Sequence, residues 1–138
     1  MKLTRTSKRA SGMTLLELTV VILVLLSLIS ILFVGARAWK KGSDRAANIM
    51  NIRNAQQAVR AHQNMQGLLE GTPIAETAIF GDGTAANQGY LKKPTPPSAD
   101  IAPAYEFDPL IPIIGDLYIT NAIGNPDYAP ASDTYADW

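Results

Sequence analysis

Residues 9–24 read R-A-S-G-M-T-L-L-E-L-T-V-V-I-L-V, and they place a single carboxylate, Glu17, near the start of an apolar run. From Leu18 to Ala36 the chain has nineteen residues without a charge. A transmembrane helix needs about 20 apolar residues, because each rises about 1.5 Å through about 30 Å of hydrocarbon. The sequence therefore predicts a membrane-spanning helix over residues 13–36. A carboxylate at that depth is costly, so we expect Glu17 to have a function.

Charge is distributed unevenly along the 138 residues, although the formal net charge is zero. Four basic residues and no acid precede Met13, and residues 37–60 carry six basic residues against Asp44 alone. After Arg60, two lysines face ten acidic residues. Such segregation indicates segments that occupy different surroundings. The acidic C-terminal half argues against a broad phosphate-binding surface, so a nucleic-acid partner is not expected.

An ordinary signal peptide and a plain single-pass anchor are two interpretations of the N-terminal segment. The basic start and the A-x-A pattern at Ala36-Arg37-Ala38 fit a signal peptide, but its apolar region usually has only about 7 to 15 residues. A plain anchor leaves Glu17 as an interfacial carboxylate solvated by lipid headgroups. The sequence contains no cysteine, which excludes disulfides and thiolate metal sites on either interpretation.

A third interpretation follows from the stretch S-G-M-T-L-L-E, which resembles the N-terminus of type IV prepilins and type II secretion pseudopilins. In those families a short basic leader ends in glycine, and the mature chain then begins with a residue followed by T-L-x-E. Lys8 and Arg9 match the basic leader, and Gly12 matches the glycine before the cut. Met13 matches the new N-terminus, and Glu17 matches the glutamate at the fifth mature position.

The resemblance implies a structural subunit and not an enzyme. A prepilin peptidase would cut after Gly12 and N-methylate Met13, and the α-ammonium group of Met13 on one subunit would pair with Glu17 of a neighbour. The subunit would span the bacterial inner membrane with a cytoplasmic N-terminus and a periplasmic C-terminal part. It would then join itself and other pilin-like subunits in a pilus or pseudopilus filament, through an inner-membrane assembly platform. Both flanks of the apolar run are basic, so this orientation follows from the resemblance and not from charge.

The rest of the chain predicts an α+β, pilin-like fold. Residues 37–67 continue the helix as an amphipathic segment, so that one helix is expected from Met13 to about Gly67. Residues 68–138 form a small globular part, in which alternating residues predict a two-stranded antiparallel hairpin at about 104–120. This sheet is expected to pack on the helix, followed by an irregular acidic tail with Trp138 as an anchor.

Candidate chemistry outside the N-terminal segment is sparse. Major pseudopilins bind calcium through acidic residues in C-terminal loops, and Asp127, Asp133 and Asp137 offer oxygen ligands of the right kind. Their spacing matches no defined loop, so neither a metal site nor a cofactor is predicted. His62, the only histidine, is expected to be structural. The alternative function from another class is a membrane-anchored periplasmic binding module that does not polymerise.

Overall fold

A computed structural model describes Gly12 and residues 14–138, so the basic leader with Lys8 and Arg9, as well as Met13, lies outside the described residues. The long predicted helix is observed as α1, Leu15–Gln66, which has 52 residues. A short helix, α2, follows at Glu76–Phe80, and a 3-10 turn occupies Ser132–Thr134. Contacts divide the chain into a unit that ends at Ala38 and a second unit, Trp39–Trp138.

The first unit consists of the apolar beginning of α1. Its large apolar side chains are all exposed, with exposed fractions from 48% at Leu18 to 80% at Leu15. By length and composition α1 can cross a membrane, and the most apolar part of it has no buried residue. It is the single candidate span in the part of the chain that the structure describes, so the described chain carries one potential membrane crossing near its N-terminus.

The second unit packs loops and α2 against one face of the later part of α1. Ile52, Ala55 and Val59 of α1 are buried at helical spacing, as the amphipathic pattern predicted. The side chains that cover them come from α2 and from the segments after it, namely Ile79, Phe80, Tyr105, Ile111, Leu117, Tyr118 and Ile119. Aromatic rings continue this core, since Phe80 and Phe107 lie 4.8 Å apart between centroids.

The predicted two-stranded sheet is wrong, because the described residues contain no β-strand. Where the hairpin was expected, one isolated antiparallel bridge joins Phe107 to Ile119. Two main-chain hydrogen bonds flank it, from Asp108 N to the Tyr118 oxygen at 2.8 Å and from Thr120 N to the Glu106 oxygen at 2.9 Å. The two segments therefore approach each other as predicted, but the ladder does not extend. The fold of the described chain is helical with irregular loops, not α+β.

Side chains prevent the ladder from growing, because they occupy the donors that it would need. In a complete antiparallel pair the residues beside the bridge would exchange two bonds each. Here the Glu106 N–H donates instead to Asn121 Oδ1 at 2.9 Å, and the Tyr118 N–H donates to Gln56 Oε1 at 2.9 Å. Each flanking pair thus keeps one of its two bonds. The other N–H of each pair already donates to an amide side chain, so extending the ladder would add no hydrogen bond for it.

Buried amide side chains on α1 hold the loops in place of a sheet. Asn48 is fully buried and donates to the oxygens of Ala122 and Tyr128, at 3.2 and 3.1 Å, while Tyr105 Oη donates to Asn48 Oδ1 at 2.7 Å. Gln56 is also buried, and its Nε2 donates to the Asp116 oxygen at 3.0 Å. Their burial is tolerated because main-chain groups and the Tyr105 hydroxyl satisfy them.

The loop after α2 closes tightly on itself at two glycines. Gly81 and Gly89 both have positive φ, 73° and 67°, a region that favours glycine. A Cβ on Gly89 would lie 2.3 Å from Gly81 N, and one on Gly81 would lie 2.4 Å from the Asn87 oxygen. The closure lets Tyr90 N donate to the Ile79 oxygen at 2.7 Å, which fixes the end of α2.

The C-terminal tail contacts α1 through Trp138, which is partly buried against the core. The guanidinium of Arg53 lies 5.3 Å from the centre of its ring, and Arg60 Nη2 donates to its main-chain oxygen at 3.1 Å. These contacts connect the last residues of the tail to α1.

Candidate functional site

Glu17 lies in the first turn of α1, where it takes part in a reciprocal cap. Its backbone N–H donates to Thr14 Oγ1 at 3.3 Å, and Thr14 N donates to Glu17 Oε2 at 3.0 Å. Thr14 precedes the first helical residue, Leu15, so the pair forms a capping box that satisfies two otherwise unpaired helix donors. Sequence reasoning missed this role, although the signal T-x-x-E before an apolar run was present.

The capping box leaves the Glu17 carboxylate able to act outside its own helix. Both Thr14 and Glu17 are exposed, and only Oε2 of Glu17 is engaged by a described residue. The positive end of the helix macrodipole also favours an anion in this turn. The structure thus fixes a carboxylate at the start of the apolar segment while one oxygen can still accept a hydrogen bond.

The polar side chains within the apolar segment are satisfied by the helix itself. Thr19 Oγ1 donates to the Leu16 oxygen, and the hydroxyls of Ser27 and Ser30 donate to oxygens one turn earlier, each at 2.8 Å. In hydrocarbon an unpaired hydroxyl would cost several kcal/mol, so such internal bonds are what a lipid-facing helix requires. Glu17 is the one acidic residue between Thr14 and Ala36.

Basic residues follow the apolar segment, and two of them belong to ion pairs in the second unit. Lys40 donates to Asp44 Oδ2 at 3.1 Å, one helical turn away. Lys41 pairs with Asp127 in a distant loop and lies 5.9 Å from the ring centre of Tyr128. The hydrogen bond that Lys40 donates to Asp44 raises the pKa of Lys40, and the bond that Lys41 donates to Asp127 raises the pKa of Lys41. Exposed pairs of this kind contribute little to stability, and of the two only the Lys41–Asp127 pair connects α1 to a loop.

The three aspartates considered as calcium ligands occupy different settings. Asp127 is paired with Lys41, Asp133 lies in the 3-10 turn, and Asp137 lies beside Trp138 on a groove along α1. Within residues 14–138 and Gly12, no group of three or more His, Cys, Asp or Glu side chains is arranged to hold a metal ion. The structure therefore does not bring these aspartates together. His62 contacts Tyr90, with its Nδ1 3.4 Å from the phenol oxygen.

Tyr118 is the most unusual titratable group of the second unit. Its side chain is 1% exposed, and its hydroxyl has no hydrogen-bond partner in the described chain. Burial raises the pKa of Tyr118 to about 12, and the carboxylates of Glu76 and Asp108 add to the effect. Because the phenol has no route to solvent, it suits packing better than proton transfer.

Of the predicted processing and assembly residues, the structure places two. Gly12 is exposed, and Glu17 caps the helix that begins two residues after Met13. Met13 itself and the leader lie outside the described residues. Comparison with models of protein families, with curated proteins and with solved structures finds no match to this chain.

Proposed function

We propose that this chain is a structural subunit of a type IV pilus-like filament or a type II secretion pseudopilus. Cleavage after Gly12 and N-methylation of Met13 by a prepilin peptidase would produce the mature subunit. The observation that carries the proposal is one exposed carboxylate, Glu17, fixed in the first turn of an apolar helix. It stands in the S-G-M-T-L-L-E context of the prepilin-type segment.

The capping box gives the proposed assembly step a physical basis. In the mature subunit Met13 carries an α-ammonium group directly before Thr14, and Glu17 of a neighbouring subunit offers it an acceptor. A buried ion pair gains little net stability, because desolvation offsets the attraction. An unpaired buried carboxylate is expensive, however, so the pair selects one register between adjacent helices. Glu17 would therefore define how subunits align, while the apolar side chains of α1 supply the contact area.

The apolar segment would serve two environments in turn. In the inner membrane its exposed side chains face lipid, with the N-terminus in the cytoplasm and the second unit in the periplasm. After extraction by the assembly platform, the same side chains would pack against those of other pilin-like subunits in the filament. The all-round exposure of these side chains and the internally bonded hydroxyls support both uses.

Substitutions at Glu17 separate its charge from its capping role. Glu17→Gln keeps a side chain that can close the capping box, whereas Glu17→Ala removes both the cap and the charge. If the charge sets register, both variants are cleaved and inserted in the membrane but form almost no filaments. Thr14→Ala is the matched control, because it weakens the cap and leaves the carboxylate in place.

The measurement is the amount of sheared filament relative to mature subunit in the membrane. Filament yield from Glu17→Gln equal to the native yield would contradict the charge role. The alternative is a membrane-anchored binding module that does not polymerise. It would be favoured if the native chain formed no filament and no substitution at Glu17 had an effect on the protein.

A further inference from the structure

A groove of about 440 Å³ runs along the exposed side of α1 in the second unit. Arg53, Gln57, Arg60 and Asn64 form its floor, and the tail at Asp137 and Trp138 forms its wall. The four α1 residues recur at a spacing of four, three and four, which places them on one helix face. We call this feature the arginine groove.

Several hydrogen-bonding groups of the arginine groove have no partner among the described residues. Arg60 is occupied, because it donates to the oxygens of Pro112 and Trp138 and lies 3.6 Å from Glu70. Arg53 contacts the face of Trp138 but pairs with no acid among the described residues. The exposed amides of Gln57 and Asn64 likewise form no hydrogen bond within the described part of the chain. The groove thus presents one available guanidinium beside two available amides.

This chemistry suits a short peptide segment that carries a carboxylate. A guanidinium binds a carboxylate through two parallel hydrogen bonds, and primary amides can donate to and accept from a peptide backbone. The chain itself carries such segments, since ten of its acids follow Arg60. Five of them lie outside the groove, are exposed and form no ion pair with another described residue, namely Asp82, Asp100, Glu106, Asp116 and Asp133. The lining of the groove has two arginines against one acid, Asp137, so the groove and the acidic loops carry complementary charge.

We propose that the arginine groove binds an acidic loop of a second copy of this chain. The proposal rests on the proposed function in one respect, that copies are held side by side by their membrane segments. Such anchoring raises their effective concentration, so a weak polar contact suffices to form. The groove would then give adjacent subunits a second contact, which fixes the rotation of their outer parts while Glu17 fixes the register of their helices.

Isosteric charge insertion tests the groove without disturbing the core. Gln57→Glu combined with Asn64→Asp adds two negative charges at exposed positions that support no described bond. The matched control, Asn54→Asp with Gln66→Glu, adds two charges at exposed positions of α1 outside the groove. Because like charges oppose docking, the groove variant should give about tenfold less filament than the control, which should equal the native chain. Equal yields from both variants would overturn the proposal.

Cross-linking identifies the contact and separates it from filament formation. The native chain has no cysteine, so Gln57→Cys and one partner substitution create the only two thiols. The partners are Asp82→Cys, Asp100→Cys, Glu106→Cys, Asp116→Cys and Asp133→Cys, each carried by a second tagged copy in the same membrane. We expect one of the five combinations to form a linked dimer with a short bismaleimide. No dimer from any of them, in cells that make filaments, would overturn the groove contact and leave the filament proposal standing. A linked dimer in cells that make no filaments would support the groove contact and contradict the filament proposal.

Discussion

Asn48 is predicted to be the most important polar side chain for the stability of the second unit. Asn48→Ala removes three hydrogen bonds and leaves the oxygens of Ala122 and Tyr128 and the hydroxyl of Tyr105 with fewer partners in the core. A typical bond contributes about 1 kcal/mol net, so three bonds predict a loss of about 3 kcal/mol. Each buried acceptor that finds no water raises the cost further.

Asn54→Ala is the matched control, because Asn54 is exposed on the same helix and no described residue bonds to its side chain. Alanine is the better helix former, so this change should stabilise the protein by about 0.5 kcal/mol. The contrast between the two asparagines isolates burial and bonding from helix propensity. Both substitutions remove the same atoms from the same helix.

The assay is urea unfolding of the full chain in detergent micelles, followed by Trp138 fluorescence in a Trp39→Phe background. The apolar segment stays in the micelle, so the transition reports the second unit. With a slope of about 2 kcal/mol per molar urea, Asn48→Ala should lower the midpoint by about 1.5 M. A difference of less than about 0.5 M between Asn48→Ala and Asn54→Ala, at that slope, would refute the claim that buried amides replace a sheet.

Two further predictions concern the core and the loop after α2. Tyr118→Phe should cost nothing or stabilise by about 1 kcal/mol, because the buried hydroxyl has no partner in the described chain. Since the folded pKa of Tyr118 is raised above its usual value, stability should be constant below about pH 10 and fall as the pH rises towards about 12. Denaturant unfolding against pH tests this, and an unchanged alkaline decline in Tyr118→Phe would contradict it. Gly89→Ala should destabilise the unit more than Gly83→Ala, since both have positive φ but only the Cβ at position 89 meets backbone. Equal thermal midpoints for the two alanine variants would be the contrary result.

The helix could be predicted from sequence because its signals are local. An uninterrupted apolar run, followed by a stretch without proline up to Gly67, specifies a helix whatever the rest of the chain does. The observed bounds, Leu15–Gln66, differ from the expected ones by one or two residues. A span of this length and composition also needs no tertiary partner to be recognised as a candidate membrane helix.

The loops could not be predicted in the same way, because their bonding partners are remote in sequence. Alternation near Phe107 and Ile119 predicted a two-stranded hairpin, but only an isolated bridge joins these two residues, and the Tyr118 N–H donates to Gln56, 62 residues away. Likewise, hydropathy treats Asn48 as a solvent-facing residue. Its burial depends on carbonyl oxygens supplied more than 70 residues later. A pattern of single residues carries no information about such partners.

The role of Glu17 lies between these cases. The T-x-x-E spacing is sufficient to predict the capping box, whereas the cost of a carboxylate at membrane depth favours an intermolecular partner. The cap and the proposed intermolecular pair would use the same side chain, and the cap engages only one of its two oxygens within the described residues. A helix cap alone does not require the preceding glycine and methionine, so the processing step remains the separate part of the proposal.

The N-terminus and intact mass of the protein from native membranes distinguish the proposed processing from its two alternatives. We expect a chain that begins at N-methylated Met13, which would establish cleavage after Gly12 and leave Glu17 at the fifth position. A chain that begins at Trp39 would indicate ordinary signal-peptide removal after Ala38. Retention of Met1 or Lys2 would indicate a plain anchor. Either of these last two results would contradict the filament account.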